Sequence, residues 1–406
     1  MGAGYAGLAA AVTLARRGVQ VTVFESGPVA GGRARRVITA GRALDNGQHI
    51  LIGAYTALLG MMREVGADPD KLLLRIPLEL RYAGGFRLRT PKLPAPLHLV
   101  AGLATASGLP MLERFGAVRF MGAIKRRNYL VDEEMTVAEL LEAHRQRGAI
   151  ARYLWEPLCV SALNTLPHQA SANAFLAVLR DSLAGNRAAS ELLIPRVDLT
   201  ALFPEPAAAW LAARGSEVRT GSPVRNLDAL RGEYDRVIVA VGPHHLEPLL
   251  PGLASGYTYQ PIYTIYLKYP PGVKLPLAML GLSQGVVQWA FDRGQLEGEA
   301  GLIACVISAQ GDHQQLTSRE LAETCHRELA SALRALPSTL GELPRPEWTQ
   351  VIAEKRATVT CVPGLARFGP ETWLPHVYLA GDYTDPEYPP TLEAAVLSGI
   401  RAAGRI

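Results

Sequence analysis

Hydrophobic residues near the start of the chain follow first a helical and then a strand-like pattern. Between Gly7 and Gly18, apolar residues recur at helical spacing, and glycine commonly ends helices. The next segment, VQVTVFE at residues 19–25, alternates apolar and polar residues as a half-buried strand does. The pattern therefore predicts a glycine turn, a helix and a strand over residues 2–25. The helical spacing is carried by Leu8, Ala11, Val12 and Ala15.

Two later apolar runs predict strands that are covered on both faces. Residues 237–241 are continuously apolar and follow the strand and loop predicted by EVRTGSPVRNL. Near the carboxyl end of the chain, residues 377–380 predict another strand, which leads into Gly381 and Asp382. A proline pair then introduces a predicted helix that starts near Thr391.

Two glycine-containing turns are predicted in the middle of the chain. LELRYAGGFRLRT at residues 78–90 predicts a hairpin that turns at Gly84 and Gly85. GLSQG at residues 281–285 matches the GxSxG pattern of a serine nucleophile elbow, which needs a helix after it. VVQWAF follows instead, and its β-branched and aromatic residues predict a strand. We therefore interpret GLSQG as a hairpin turn.

Gly2, Gly4 and Gly7 form a GxGxxG motif directly before the predicted helix. Glycines at these positions let the backbone approach a pyrophosphate, whose charge is stabilised at the helix N-terminus. Glu25, which ends the following strand, is placed to accept hydrogen bonds from an adenosine ribose. The alternative is a tight turn before a packed helix, but the helix, strand and acid in register favour a dinucleotide site.

A second glycine turn, GGRARR at residues 31–36, follows closely. Arg33 and Arg35 are each able to pair with phosphate oxygens, so the turn predicts a second set of contacts with the same diphosphate. We count Gly32 and Arg33 among the cofactor-binding residues. A solvated basic loop is the alternative interpretation of this segment.

The start of the chain conflicts with this motif. In a dinucleotide-binding fold, an apolar strand of about five or six residues leads into the GxGxxG turn from the middle of a parallel sheet. Here only Met1 precedes the turn. We therefore expect the natural start to lie several residues earlier. We also expect the 406-residue chain to have an open slot beside residues 21–24, to be poorly stable and to bind its cofactor weakly.

Composition narrows the class of protein. The chain has 406 residues, of which 49% are hydrophobic, and this is enough for two folded domains. A net charge of +4 is mild for this length and gives no support to nucleic-acid binding. The 4 cysteines show no CxxC spacing, which argues against a metal site or a disulfide framework and fits a reducing cytoplasm.

The glycine motif with Glu25, the GGR turn and the late LAGDYT segment together resemble the flavin-containing amine oxidase and phytoene desaturase superfamily. The resemblance implies an α/β fold in which a Rossmann-like domain, here lacking its first strand, binds FAD. It implies that Val224 lies near the adenine and Asp382 near the ribitol chain. The full set of implied FAD contacts is Gly2, Gly4, Gly7, Glu25, Gly32, Arg33, Val224, Gly381 and Asp382.

Three further segments carry a narrower resemblance, at residues 44–66, 155–185 and 192–215. They are similar to the squalene-associated FAD-dependent desaturases, a group now described as hydroxysqualene dehydroxylases. The resemblance implies a C30 isoprenoid substrate. It implies FAD-dependent reductive dehydroxylation of hydroxysqualene to squalene, a step of bacterial squalene and hopanoid biosynthesis.

We predict that the chain forms two discontinuous domains. The FAD-binding domain is predicted to comprise residues 1–75, 193–250 and 352–406. The α+β substrate-binding domain, of the amine-oxidase and desaturase type, is predicted to comprise residues 76–192 and 251–351. We expect a mixed or antiparallel sheet under helices in this second domain.

Dehydroxylation of an allylic alcohol requires a proton for the departing hydroxyl and a dry apolar pocket around the allylic cation. Reduced flavin then supplies hydride. Asp45 and His49 in LDNGQHIL are the predicted proton sources, and the alternative is that both only hydrogen-bond to backbone. Aromatic residues that either line the pocket or fill a sheet face are Tyr257, Tyr259, Tyr263, Tyr266 and Trp289.

Residues 91–124 are apolar and marked by prolines, and Glu113 is their one acid. The basic cluster at residues 125–127 follows. Such a segment fits peripheral contact of residues 91–127 with the inner face of the cell membrane, where cations meet lipid headgroups. A buried helical pair with a solvated basic end explains the pattern equally well. The sequence leaves the oligomeric state open.

Two other functions share the predicted fold. A desaturase would oxidise a polyisoprenoid such as phytoene, diapophytoene or squalene at a similar flavin site. A non-catalytic lipid carrier would lack flavin chemistry, and the intact Glu25, GGR turn and Asp382 argue against it.

Overall fold

A computed structural model describes residues 1–253, 256–336, 342–385 and 388–406 of the chain. Within these ranges, side chains fix several helix starts: Ser171, Asp198 and Thr317 each accept a hydrogen bond from the first turn of the helix that follows. The helices are α1 (Tyr5–Arg16), α2 (Thr56–Glu64), α3 (Pro69–Leu72), α4 (Leu97–Thr105), α5 (Met111–Arg126), α6 (Val137–Ala143), α7 (Glu156–Leu163), α8 (Ala172–Leu179), α9 (Leu199–Leu202), α10 (Pro204–Ala212), α11 (Leu227–Glu233), α12 (Arg293–Glu297), α13 (Ser318–Arg334) and α14 (Leu392–Ala403).

The strands are mostly short and form several small sheets and one larger antiparallel sheet. They are β1 (Thr22–Phe24), β2 (Arg36–Thr39), β3 (Arg42–Asp45), β4 (Leu51–Ile52), β5 (Leu73–Ile76), β6 (Glu79–Arg81), β7 (Arg87–Arg89), β8 (Leu192–Pro195), β9 (Glu217–Arg219), β10 (Val237–Val239), β11 (Tyr259–Lys268), β12 (Met279–Gly281), β13 (Trp289–Asp292), β14 (Leu302–Ser308), β15 (Trp348–Val359) and β16 (Val377–Leu379).

The first residues lie between two pairs of parallel strands. Strand β1 pairs with β9, and β10 pairs with β16. Gly2 N donates to Phe24 O at 2.6 Å on one side, and Ala240 N donates to Met1 O at 2.8 Å on the other. Backbone hydrogen bonds therefore join β1 and β10 through residues 1–2, where an open slot was expected.

Helices α1 and α14 pack closely together above this parallel layer. A Cβ atom on Gly399 would lie 2.1 Å from Ala6 O and 3.0 Å from Ala10 N, so only glycine fits at the crossing. Alanines are the commonest residues on the buried surface of α1, and their small side chains allow the helices to approach closely. The helix predicted after the glycine motif and the helix predicted after the LAGDYT segment thus pack against each other.

The larger sheet has the strand order β12-β13-β14-β11-β15 and is antiparallel throughout. Alternate residues of β11 enter different cores: Tyr266 packs on one face, and Ile265 packs on the other face with α13. The predicted hairpin at Gly84 and Gly85 is confirmed by the pairing of β6 with β7. GLSQG connects the antiparallel strands β12 and β13, as expected of a hairpin turn.

Candidate active site

A cavity of about 970 Å³ runs from the glycine turns into the apolar interior beside the larger sheet. Most of the predicted site residues line it. Gly7 and Asp45 lie outside its lining. The predicted residues along its wall are Gly2, Gly4, Glu25, Gly32, Arg33, His49, Val224, Gly381 and Asp382.

The two glycine turns touch each other at the N-terminus of α1. Gly31 N donates to Ala3 O at 2.8 Å, and a Cβ atom on Gly32 would lie 3.1 Å from the Cα atom of Gly4. Gly32 also has a φ of +63°, which disfavours other residues. A side chain here would separate the turns and fill the groove between them, so the backbone itself forms this part of the cavity wall.

The absence of a side chain at Gly7 allows close packing around the first turn of α1. A Cβ atom at this position would lie 1.9 Å from Gly2 O and 3.2 Å from the Ala240 side chain. The third glycine of the motif therefore lets helix α1 lie against the turn and the neighbouring strand. Its predicted contact with the pyrophosphate stays a prediction.

The N-terminus of α1 is suited to an anion. Gly4 is its N-cap, no side chain caps the first turn, and the first turn carries no acidic residue. Backbone N–H groups at such a terminus carry partial positive charge and bind phosphate. Arg35, whose guanidinium donates to Gly32 O, adds a full positive charge to the same end of the cavity.

Glu25 stands at the end of β1 and fixes both neighbouring turns. Its carboxylate accepts from Ala3 N at 2.8 Å and from Gly27 N at 2.7 Å. These bonds orient the carboxylate while it lines the cavity. An acid held in this way fits the predicted hydrogen bond to a ribose hydroxyl.

Arg33 and Asp382 face each other across the cavity wall. Arg33 Nη2 donates to Asp382 Oδ1 at 2.5 Å, and Arg33 Nη1 donates to Ala357 O at 2.6 Å. The Asp382 side chain is buried, so the ion pair is shielded from solvent. Two predicted cofactor-binding residues, far apart in the sequence, are thereby joined at one point.

His244 also lines the cavity beside this ion pair, and the sequence-based predictions missed it. Its ring meets the Tyr259 ring edge to face at 5.8 Å, and its Nδ1 atom has no hydrogen-bond partner among the described residues. Burial, with the neighbouring His245, lowers the pKa of His244 to about 4. Its position shortly after strand β10, beyond the carboxyl end of a parallel strand pair, was the signal that could have found it.

His49 faces the cavity as a hydrogen-bond acceptor. Its Nδ1 atom lies 3.0 Å from Gly47 O, a carbonyl that only accepts, so the proton of a neutral ring is on Nδ1. Burial lowers the pKa of His49, and the ring is therefore neutral at pH 7 with a bare Nε2. In this state the ring proton is donated to Gly47 O, and the predicted catalytic role of His49 stays a prediction.

Asp45 belongs to a buried ion network behind the cavity. It ends strand β3 and is not on a helix. One carboxylate oxygen accepts from Leu199 N at 2.8 Å, and the other accepts from Arg293 at 3.2 Å. Arg293 also donates to Glu297 at 2.5 Å. Both oxygens of Asp45 are used within the protein, so its predicted catalytic role stays untested and the geometry offers a structural one.

The same network predicts how stability depends on pH. Burial raises the pKa of Asp45 to about 6 and that of Glu297 to about 7, against the opposing effect of Arg293. A carboxyl group with a raised pKa in the folded state binds its proton more tightly than in the unfolded chain. Folding stability should therefore fall as pH rises from about 4 to about 7, and stay low above it.

The Glu297→Gln substitution removes one of the two titrating carboxyl groups of this network. We expect thermal melts of this variant to show a loss of stability between pH 5 and pH 8 that is smaller by about 2 kcal/mol than in the parent chain. Glu133→Gln, at an exposed acid outside this network, serves as the control. Equal slopes in both variants would show that Glu297 does not titrate in this range.

The remaining half of the cavity is apolar. Side chains from the helices of the middle segment and from the larger sheet enclose it. Trp289 is the member of the predicted aromatic set in this lining; Tyr266 instead packs in the sheet and donates to Asp45 O at 3.0 Å. The lining residues include Leu78, Leu88, Leu103, Met121, Leu154, Trp155, Leu158, Leu192, Ile262, Met279, Trp289 and Phe291.

This arrangement fits FAD. The uncapped α1 terminus and the touching glycine turns leave room for a diphosphate, Glu25 and Asp382 stand where hydroxyls need acceptors, and the unpartnered His244 Nδ1 faces the same wall. When bound there, FAD supplies two-electron chemistry beside the apolar half of the cavity. The described residues contain no cluster of three or more His, Cys, Asp or Glu placed to hold a metal.

Known proteins of one family resemble this chain over nearly its full length. The family model for flavin containing amine oxidoreductase matches residues 5–406. A hydroxysqualene dehydroxylase from Rhodopseudomonas palustris is 32% identical over 99% of this chain and 96% of its own length. A protein named probable zeta-carotene desaturase from Synechococcus elongatus is 23% identical over 99% of this chain and 97% of its own.

A solved oxidoreductase from Methanosarcina mazei has the same fold, with a TM-score of 0.73 and 16% identity over 98% of this chain and 97% of its own. The predicted α/β fold class of the amine-oxidase type is thus confirmed. The predictions of an oxidoreductase that uses FAD, and of a resemblance to hydroxysqualene dehydroxylases, are confirmed as well. The chain belongs to the family of flavin-containing amine oxidoreductases.

Proposed function

We propose that this protein reduces hydroxysqualene to squalene by FAD-dependent dehydroxylation. The observation that carries the proposal is the continuity of the cavity, in which the two glycine turns open into a long apolar half. A C30 chain with a single hydroxyl fits such a site, because it needs apolar walls along its length and polar groups at one point. The full-length similarity to hydroxysqualene dehydroxylases supports the same substrate.

The side chains that line the apolar half of the cavity suit the loss of a hydroxyl from an allylic alcohol. The apolar half excludes water, so an allylic cation formed on loss of the hydroxyl is not captured by solvent. The Trp289 ring presents a π face or edge to this space, and such rings stabilise cations. The reaction consumes one proton and one hydride and yields squalene and water.

The direct test is product analysis with the flavin-loaded protein. Reduced enzyme is mixed with hydroxysqualene without oxygen, and squalene is measured by mass spectrometry together with the return of the oxidised flavin spectrum. We expect squalene in an amount equal to the flavin reoxidised. A protein that keeps its flavin reduced in the presence of hydroxysqualene would overturn the proposal.

A desaturase is the second candidate, because a relative 23% identical over nearly the full chain carries a zeta-carotene desaturase name. A desaturase would oxidise its substrate and reduce the flavin, whereas dehydroxylation oxidises the reduced flavin. Oxidised enzyme mixed with a polyisoprenoid would then become reduced and yield a product with an added double bond. Squalene formation by reduced enzyme separates the two functions.

We also propose peripheral contact with the inner face of the cell membrane through residues 91–127. Helices α4 and α5 expose apolar side chains, with Leu112 at 85% and Phe115 at 68% of full exposure. The inner faces of the same helices reach the cavity through Leu103 and Met121. Helix α5 also carries Arg114 and Arg119, and the basic cluster at residues 125–127 lies at its carboxyl end. This pair of helices would place the apolar cavity next to the lipid that holds the substrate.

No helix among the described residues is both long enough and apolar enough to cross a bilayer. The proposed contact is therefore tested as surface binding. Leu112→Asp with Phe115→Asp should remove most binding to vesicles that contain anionic lipid, measured by co-sedimentation. Ile38→Asp is a matched control, since Ile38 is 67% exposed on the β2–β3 hairpin outside this surface. Equal loss in both variants would argue against a specific contact.

A further inference from the structure

We propose that Ser161 binds the oxygen of the substrate hydroxyl and so distinguishes the alcohol from its hydrocarbon product. The inference rests on the proposed dehydroxylation and names the residue that recognises its substrate. Ser161 lies on α7 and lines the cavity. A hydroxyl in the apolar half marks a point where a polar atom of the ligand finds a hydrogen-bond partner.

The cavity wall around Ser161 is largely apolar. Its neighbours on α7 that also line the cavity include Leu158 and Ala162, and Trp289 contacts it from β13. Trp289 is paired with Val306 of β14, which lines the same wall. A hydrocarbon chain that passes this point therefore contacts mainly apolar side chains, with the Ser161 hydroxyl among them.

The hydrogen bond between Trp289 and Ser161 leaves the serine proton available. Trp289 Nε1 lies 3.1 Å from Ser161 Oγ, and an indole N–H only donates. Ser161 Oγ is therefore the acceptor in this bond. Among the described residues, no group accepts a hydrogen bond from Ser161 Oγ in return. A hydroxyl that accepts one hydrogen bond is polarised and donates the next one more strongly.

Two other serines of the cavity lining use their protons within the protein. Ser182 Oγ donates to Val178 O, four residues earlier, at 2.5 Å, a common arrangement for a helical serine. Ser190 Oγ donates to Arg187 O at 2.8 Å. The Ser161 side chain is exposed at a position that lines the cavity, so its hydroxyl is free to donate to a ligand there.

Ser308 presents a second hydroxyl to this part of the cavity. It lies on β14 two residues after Val306 and therefore on the same face of the sheet. Among the described residues, no side chain donates a hydrogen bond to Ser308 Oγ, whereas Trp289 fixes and polarises the oxygen of Ser161. The geometry favours Ser161, and Ser308 is the alternative partner of the substrate oxygen.

Ser161 also lies close to the predicted flavin-binding end. Asn164, about one helical turn later, donates to Thr358 Oγ1 at 3.0 Å. The carbonyl of the neighbouring Ala357 accepts from Arg33 Nη1 at 2.6 Å, and this arginine belongs to the ion pair at that end. The Ser161 hydroxyl therefore stands near the place where the apolar half of the cavity begins.

This position gives Ser161 a role in recognition and positioning. Its hydroxyl donates to the oxygen of the allylic alcohol and holds the C–O bond beside the Trp289 ring. The ring then lies next to the carbon that becomes cationic when the oxygen leaves. Squalene has no oxygen, so the serine hydroxyl has no partner on the product, and the product is bound less tightly than the substrate.

The test measures binding to oxidised, flavin-loaded protein, which carries no hydride and so does not convert the alcohol. Dissociation constants of hydroxysqualene and squalene are determined from changes in flavin fluorescence, with each lipid added from the same detergent micelles. The parent should bind hydroxysqualene more tightly than squalene. Ser161→Ala should weaken binding of hydroxysqualene about tenfold and leave binding of squalene unchanged. Flavin content and melting temperature are measured first, so that a folding defect is recognised.

Three further variants separate the hydrogen bond from packing. Ser161→Thr keeps the hydroxyl and should retain most of the preference for hydroxysqualene. Trp289→Phe keeps an aromatic ring but removes the indole N–H, and should reduce the preference about threefold. Ser182→Ala loses a hydroxyl that is already bonded to its own helix, so it is the matched control and should keep the parent preference.

The outcomes distinguish this inference from the function on which it rests. If Ser161→Ala weakens binding of both lipids equally, or of neither, Ser161 does not bind the substrate oxygen. If Ser308→Ala removes the preference and Ser161→Ala keeps it, the assignment to Ser161 is wrong. If Ser161→Ala abolishes the preference but the reduced parent makes no squalene, dehydroxylation is wrong while the hydroxyl site stands.

Discussion

Asp382→Ala should yield a protein that loses most of its flavin during purification. The carboxylate lies at the carboxyl end of β16, lines the flavin-binding end of the cavity and is held by Arg33. Loss of a charged hydrogen bond to a ribitol hydroxyl should weaken binding by about 2–3 kcal/mol, or roughly a hundredfold in Kd. The unpaired Arg33 left in the wall adds to this cost.

Flavin content is measured from the ratio of visible to ultraviolet absorbance, and Kd by titration of stripped protein. Asp312→Ala, at an exposed acid outside the cavity lining, should keep full flavin. Asp382→Asn should lie between the two, since the amide keeps one oxygen acceptor. Full occupancy in Asp382→Ala would show that this carboxylate does not bind the cofactor.

The glycine turns and the elements around them were predictable because their signals are local. GxGxxG, the helix after it and the acid ending the next strand lie within residues 2–25, and each requires a particular residue type at a fixed position. The hairpins at residues 84–85 and 281–285 were predictable for the same reason, since turn chemistry depends on neighbouring residues.

The apolar half and its polar groups depend on contacts between distant segments. Leu78, Trp155 and Trp289 line the same cavity, but no pattern links them along the chain. Asp45 and His49 were chosen because both types of side chain carry protons and stand close together in sequence. In the structure, Asp45 belongs to an ion network with Arg293, and the His49 ring is hydrogen-bonded to Gly47 O. Neither arrangement can be predicted from the residue types alone.

Individual glycines illustrate the same distinction. The sequence predicted that Gly2, Gly4 and Gly7 share one ligand, because it shows only that each lacks a side chain. In the structure, Gly7 accommodates the carbonyl of Gly2, and its contact with a ligand stays a prediction. The absence of a side chain reveals a close approach, but only the fold shows whether backbone or ligand comes close.

Arg293→Met should be the most destabilising single substitution we predict. Arg293 is 2% exposed and is shared by Asp45, which is 1% exposed, and by Glu297. Removal of the cation leaves two carboxyl groups buried without their charge partner. Such changes cost about 3–5 kcal/mol, which is a large part of the stability of a typical domain. Thermal and urea unfolding of flavin-loaded protein would measure the loss.

A compensated variant shows whether the network serves folding or catalysis. Asp45→Asn with Glu297→Gln in the Arg293→Met background removes all three charges, so it should recover most of the lost stability. Asp45→Asn alone should then leave the rate of flavin reoxidation by hydroxysqualene within about threefold of the parent, because a structural acid takes no part in the proton transfer. A loss of a hundredfold with unchanged stability would return Asp45 to the role that its residue type first suggested. The ion network would then be the path by which a proton reaches the cavity from behind its wall.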